Sequence, residues 1–232
     1  MILAQIKRSL EHPVVAGVAV ASVGTLVFLV ARSFLDGDNE LPTGVMPPMP
    51  SVAPFADIPG RLVWPVVTND SRLGQVAYVD AFGTTHGNSA RRFGASRDGR
   101  RHAGIDLYGH NGDPVLAIAD GTVIDTQSFH LGSDAILVAH EDVVVLYGEV
   151  EPRSWNEFGV GIGSRVRAGA PIARVACMVG IGSSCKSHML HLETYRPGTT
   201  QNQQWHGSVP PPALLDPTLL LLRSAPPGTN QR

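Results

Sequence analysis

Between residues 115 and 175 the chain is a succession of short apolar runs, and this pattern limits the fold more than any other feature. Residues 115–119, 121–125, 135–139, 143–147 and 172–175 are mostly aliphatic, and glycine, proline or charged turn residues separate them. Runs of this length with such regular turn signals point to an all-β sandwich or open barrel of antiparallel strands. Residues 135–149 read as a hairpin turning at His140-Glu141-Asp142, which delivers Glu149 to the end of a central strand. No long segment of 3.6-residue period competes after residue 60, and no internal repeat is present. Residues 61–223 therefore read as one domain of roughly 160 residues, a size that supports a real core.

Two pieces of sequence bring metal-ligand chemistry to this framework. His102-Ala-Gly-Ile-Asp106 is answered downstream by Leu190-His191-Leu192-Glu193. Two imidazoles and a carboxylate are the ligand count of a catalytic zinc site, which leaves a fourth position for water. His102 and Asp106 are an even number of residues apart, so extended backbone projects them from one face. Taken alone, the H-x-x-x-D string is common and reads more readily as two unrelated polar residues in a turn. Glu193 shares the strand face of His191, either orienting that ring from behind or standing as an exposed strand carboxylate.

Four blocks in order and spacing, namely residues 101–107, 112–123, 163–173 and 190–193, resemble the lysostaphin/LytM-type zinc peptidases. The resemblance runs from about Trp64 to Pro197. It implies an antiparallel LytM-type fold, Zn2+ held by His102, Asp106 and His191, and peptidoglycan cross-bridges or stem peptides as substrate. The chain departs from the family at two positions. Where the family carries a catalytic histidine in a Tyr-x-His element, this chain reads Tyr147-Gly148-Glu149. Where a second catalytic histidine precedes the last ligand by two residues, this chain has Met189.

Those departures touch proton handling and leave the ligands in place. Glutamate is a competent general base in other zinc peptidases, so Glu149 is the candidate base, and strand parity puts it on the face of Tyr147. A carboxylate has the wrong charge to stabilise an oxyanion, and losing one such donor costs on the order of 100- to 1000-fold in rate. Tyr147 is a candidate hydroxyl for that role. His188 is a weaker catalytic candidate, since alternation turns it away from His191 unless a bulge at residues 187–189 brings it round. Two readings stay open: an active metallopeptidase, or a catalytically inactive domain that binds cell wall or regulates a partner hydrolase or envelope complex.

The remaining segments bear on location and partners. Residues 14–32 are apolar or small apart from Arg32 and follow Lys7 and Arg8, as expected of a single transmembrane anchor with residues 1–13 in the cytoplasm. A cleavable signal peptide is the rival reading. Residues 33–60 are rich in proline and glycine and read as an extended spacer. The domain beyond would lie outside the cytoplasm, facing periplasm or wall. Cys177 and Cys185 flank a small-residue loop, and in an exported protein they are expected to pair. Arg91, Arg92, Arg97, Arg100 and Arg101 make the approach to His102 basic, either a rim for anionic wall polymer or substrate carboxylate, or an ordinary solvated loop. Net charge of −2 argues against nucleic acid as partner. Residues 214–222 are apolar enough to pack back on the domain, and 224–232 read as a disordered tail.

Overall fold

A computed structural model describes residues 61–179 and 185–224. The expected anchor at 14–32, the spacer at 33–60 and nearly all of the expected tail lie outside the described residues. Among the described residues no helix is long and apolar enough to cross a membrane.

The domain is built from antiparallel strands with almost no helix. Two small hairpins come first: β1 (Tyr78–Val79) with β2 (Thr85–His86), and β3 (Ser96–Arg97) with β4 (Arg100–Arg101). They are followed by β5 (Ile105–Tyr108), β6 (Pro114–Leu116), β7 (Gly121–Ser128), β8 (Asp134–Ala139) and β9 (Val144–Val150). Then come β10 (Arg165–Val166), β11 (Pro171–Arg174), β12 (Cys177–Val179), β13 (Cys185–Tyr195) and β14 (Leu214–Leu215). One α-helix, α1 (Thr218–Arg223), closes the described chain.

The principal sheet runs β10-β7-β8-β9-β13-β12, with β5 and β14 also pairing to β13. β13 is the organiser, because its eleven residues are long enough to serve several neighbours. His191 in its middle pairs with Asp106 of β5 on one side and Gly148 of β9 on the other. Alternation then sorts the side chains. Leu190 and Leu192 join Ile105, Leu107, Val145 and Tyr147 in the main core. That core is completed by Trp64 and Val66, by Val115 and Ile172 of the β6–β11 ribbon, and by Leu220 and Leu221 of α1. On the other face Leu137, Leu146, Tyr195, Trp205 and Leu214 form a smaller cluster. Every residue of β9 is buried, the reason its first four residues, Val144 to Tyr147, are apolar without a polar alternate.

The apolar run at 115–119 is a strand only at its start. Beyond Leu116 the Ile118 N–H donates to the Tyr147 hydroxyl at 2.9 Å instead of joining a ladder. The Ile118 side chain stays fully buried, so the run is apolar for the core's sake and not for strand pairing.

Candidate metal centre

Two neighbouring strands and the turn before one of them bring the three ligand candidates together. Asp106 lies on β5 and His191 on β13, directly paired, and His102 sits just before β5. His102 Nε2 lies 3.0 Å from Asp106 Oδ1 and 3.1 Å from His191 Nδ1, which is itself 2.9 Å from the same carboxylate oxygen. Ligands at about 2.0–2.1 Å from a tetrahedral metal sit roughly 3.3 Å apart. The observed triangle is that edge, slightly contracted. All three residues are buried.

The atoms behind the triangle commit each ligand to one orientation. His102 Nδ1–H donates to the Arg92 carbonyl at 2.9 Å, which leaves Nε2 as the free lone pair. His191 Nε2–H donates to Glu193 Oε1 at 3.0 Å, which leaves Nδ1. Glu193 Oε2 accepts from the Tyr195 hydroxyl, and that hydroxyl accepts the Gln203 N–H at 2.8 Å. Arg97 Nη2 donates to Asp106 Oδ2 at 3.2 Å and leaves Oδ1 facing the histidines. A histidine ligand whose second nitrogen is held by a carboxylate or carbonyl is the usual support for a metal. The donor set fits zinc, and the backbone makes room for it: a Cβ on Gly104 would lie 2.9 Å from the His191 ring.

The electrostatics follow from this packing. Burial opposes ionisation of Asp106, but the hydrogen bonds from His102 and His191 outweigh it and hold the carboxyl well below its usual range. Burial pushes the His102 imidazole down. Burial works the same way on His191, yet hydrogen bonds to Asp106 and Glu193 raise it to about 10.

Glu149 reaches this site through a bulge. Across β8 and β9, Ala135 pairs with Gly148 and Asp134 with Val150, so Glu149 is an extra residue with no partner. Its φ is +59°, in the left-handed region that few non-glycine residues occupy. The side chain lines a groove of about 790 Å³ together with the triad and Phe129. Its Oε2 is buried with no hydrogen-bond partner among the described residues. Burial pushes its carboxyl up to about 7.

Other expected site residues fall elsewhere. Tyr147 does not reach the groove: it is fully buried in the main core, where its hydroxyl also meets His140 Nε2 at 3.2 Å. The shared face of Tyr147 and Glu149 expected from strand parity is thus corrected, because the bulge rotates the second residue and not the first. His188 is likewise not brought to the site. Its ring packs on His110 with centroids 5.8 Å apart, and Nδ1 lies 3.4 Å from Cys185 Sγ. The register shift on this strand lies between its Ser187 and Cys185 pairings, too early to turn residue 188. Arg101 lines the groove but spends its donors on the Gly207 and Gly94 carbonyls. Cys177 and Cys185 form a disulfide joining β12 to the start of β13.

Three contributors escaped the sequence reading. Tyr195 was legible in principle, since His191, Glu193 and Tyr195 alternate onto one face of one strand. Phe129, whose ring lies 5.5 Å from that of His191, and Arg97 as the Asp106 partner depend on how distant segments fold back, and no local signal marks them.

Residues 100–203 match the family model described as peptidase family M23. No curated protein matches the chain. Among solved structures, the catalytic domain of lysostaphin from Staphylococcus simulans is similar at 19% identity and a TM-score of 0.42, covering 56% of this chain and 88% of that one. Csd3 from Helicobacter pylori is similar at 17% identity and a TM-score of 0.40, over 64% of this chain. The chain spans only 35% of Csd3. A zinc containing peptidase from Vibrio cholerae is similar at 17% identity and a TM-score of 0.39, covering 66% of this chain and 41% of that one. The match to peptidase family M23 thus spans the segment that holds His102, Asp106, Glu149 and His191.

Proposed function

We propose that this protein is a membrane-anchored zinc metallopeptidase that acts on peptidoglycan peptides, with Glu149 in place of the family's catalytic imidazole. The observation that carries the reading is the buried carboxyl of Glu149, one oxygen unpartnered, in the groove that His102, Asp106 and His191 also line. A residue kept merely for packing has no reason to occupy a strained left-handed bulge with an unsatisfied oxygen. Zinc held by the triangle supplies Lewis acidity that polarises a carbonyl and acidifies water. Glu149, poised near neutrality, takes the proton of the attacking water and delivers it to the leaving amine. Glu193 and Tyr195 keep His191 oriented, Arg97 does the same for Asp106, and Phe129 shields the His191 ring.

Placement of the domain outside the cytoplasm, on an anchor at 14–32 and a spacer at 33–60, is part of the same proposal and rests on sequence alone. A specific observation favours a second reading. Met189, which lines the groove, offers a thioether where the family has an imidazole, as suits a wall-binding or regulatory domain with a separate hydrolase as partner. Release of soluble fragments from purified peptidoglycan by the zinc-loaded chain, read by mass spectrometry, tests the two. Release that His191→Ala and Glu149→Gln both abolish supports the peptidase. Folded, zinc-loaded protein that releases nothing from any wall type overturns it in favour of the regulatory domain.

A further inference from the structure

The groove is lined by Arg91, Arg97, Arg100 and Arg101, all from the segment leading into His102. Two of these cations are committed inside the protein, Arg97 to Asp106 and Arg101 to backbone carbonyls. Arg91 and Arg100 pair with no carboxylate among the described residues. Of the carboxylates nearby, Asp106 and Glu193 are engaged by histidines, and the buried Glu149 Oε2 has no hydrogen-bond partner among the described residues. In a chain of net charge −2 this leaves local positive charge without a carboxylate partner beside the candidate metal centre.

Arg91 is also held in position. Its guanidinium lies 4.3 Å from the centre of the Tyr108 ring, and Nη1 is 3.7 Å from Met189 Sδ. Arg72 also packs on the Tyr108 ring, at 3.8 Å, and is fixed in turn by two hydrogen bonds to the Asp70 carboxylate at 2.9 and 2.7 Å. Stacking of this kind orients a guanidinium and leaves its in-plane donors available. Arg100 comes from β4 and brings a second set of donors to the groove. Asn202, Gln203 and Gln204 line the same groove and offer amide groups suited to a peptide backbone.

We infer that the groove selects acidic peptides, and that Arg91 and Arg100 are specificity-determining residues that receive a free carboxylate of the substrate. The inference rests on the peptidase reading for its peptide ligand, and its test is a binding measurement that does not require turnover. A planar guanidinium donates two parallel N–H···O bonds to a carboxylate, and a neutral carboxamide in the same place forfeits the charge-assisted part.

The probe is the C-terminally amidated peptide L-Ala-γ-D-Glu-L-Lys, with the glutamate α-carboxylate either free or converted to the carboxamide. Calorimetric titration of the full, zinc-loaded chain is expected to show the free acid binding at least tenfold tighter, a ratio that shrinks as salt is raised. Arg91→Gln with Arg100→Gln brings the ratio close to one, and Arg91→Lys restores part of it. Arg91 is packed on Tyr108, so Arg100→Gln alone is the safeguard against a folding defect, and it lowers the ratio by itself. Equal binding of the two peptides, binding of neither, or a ratio indifferent to these substitutions overturns the inference. Discrimination without turnover leaves it standing while the peptidase reading falls. Turnover without discrimination does the reverse.

Discussion

Tyr147 and Glu149 stand two residues apart on one strand and face opposite sides of the sheet. The cause is the bulge at Glu149, where the backbone enters the left-handed region with φ +59°. Gly148 between them pairs with His191 and carries no side chain to fill the site. A Cβ at Gly148 would meet the Phe129 ring at 2.9 Å. The strand therefore puts the Tyr147 hydroxyl into the core and the Glu149 carboxyl into the groove, a separation that regular alternation forbids.

Glu149→Gln is expected to lower the rate of fragment release by roughly 100- to 10,000-fold, the range of a positioned acid–base group. Zinc content should be unchanged, because Glu149 makes none of the ligand contacts. Steady-state rates set beside metal analysis of the same preparation check it. A rate loss accompanied by loss of zinc would place Glu149 in the metal site instead.

The same carboxyl makes the stability of metal-free protein depend on pH. Burial raises Glu149 from 4.5 to about 7, so the folded protein keeps its proton where the unfolded chain has lost it. Stability from this group is complete below about pH 4.5 and is lost as pH rises through about 7. Glu149→Gln removes the dependence and should be more stable than the parent above pH 7, by on the order of 2 to 3 kcal/mol. Urea unfolding of both proteins at pH 5 and pH 8 measures the difference. An equal gap at the two pH values contradicts it.

Glu193→Gln should weaken zinc binding by about 10- to 100-fold, since the carboxylate that holds His191 Nε2–H becomes a neutral amide. Tyr195→Phe, one step further along the same relay, should have a smaller effect in the same direction. Competition with a chromophoric chelator reads both affinities.

Gly104→Ala should damage both fold and site. The added methyl would collide with the Leu192 carbonyl and press on the His191 ring. Overpacking of this kind costs about 1 to 3 kcal/mol, and displacement of His191 should reduce zinc affinity as well. Thermal melting and chelator competition on one variant test the two effects, and a variant with parental values in both would show that the close approach is relaxed at no cost.

The Cys177–Cys185 disulfide closes a loop of sequence separation 8. A loop this short is worth about 2 to 3 kcal/mol on a chain-entropy basis. Reduction, or Cys177→Ser with Cys185→Ser, should lower the melting temperature accordingly, and an unchanged melting curve would exclude any such contribution.

The sequence alone determined the class of fold and the identity of the ligand candidates. Short apolar runs cut by turn residues leave little besides antiparallel strands, and residue type alone marks His102, Asp106 and His191 as ligand candidates, although His102 lies in the turn before β5 and not on an extended strand with Asp106. Alternation along β13 likewise turns Glu193 to the side of His191. Tertiary structure alone decided where Tyr147 and Glu149 point. One inserted residue inverts every parity argument beyond it, and a bulge is stabilised by the partner strand and the groove rather than by the residue that occupies it. Arg97, Phe129 and Arg91 reach the site only because β3, the segment after β7 and the turn before β3 fold over it. Such contacts between distant segments have no periodicity to read, since they are set by packing between layers and not by the geometry of any one strand.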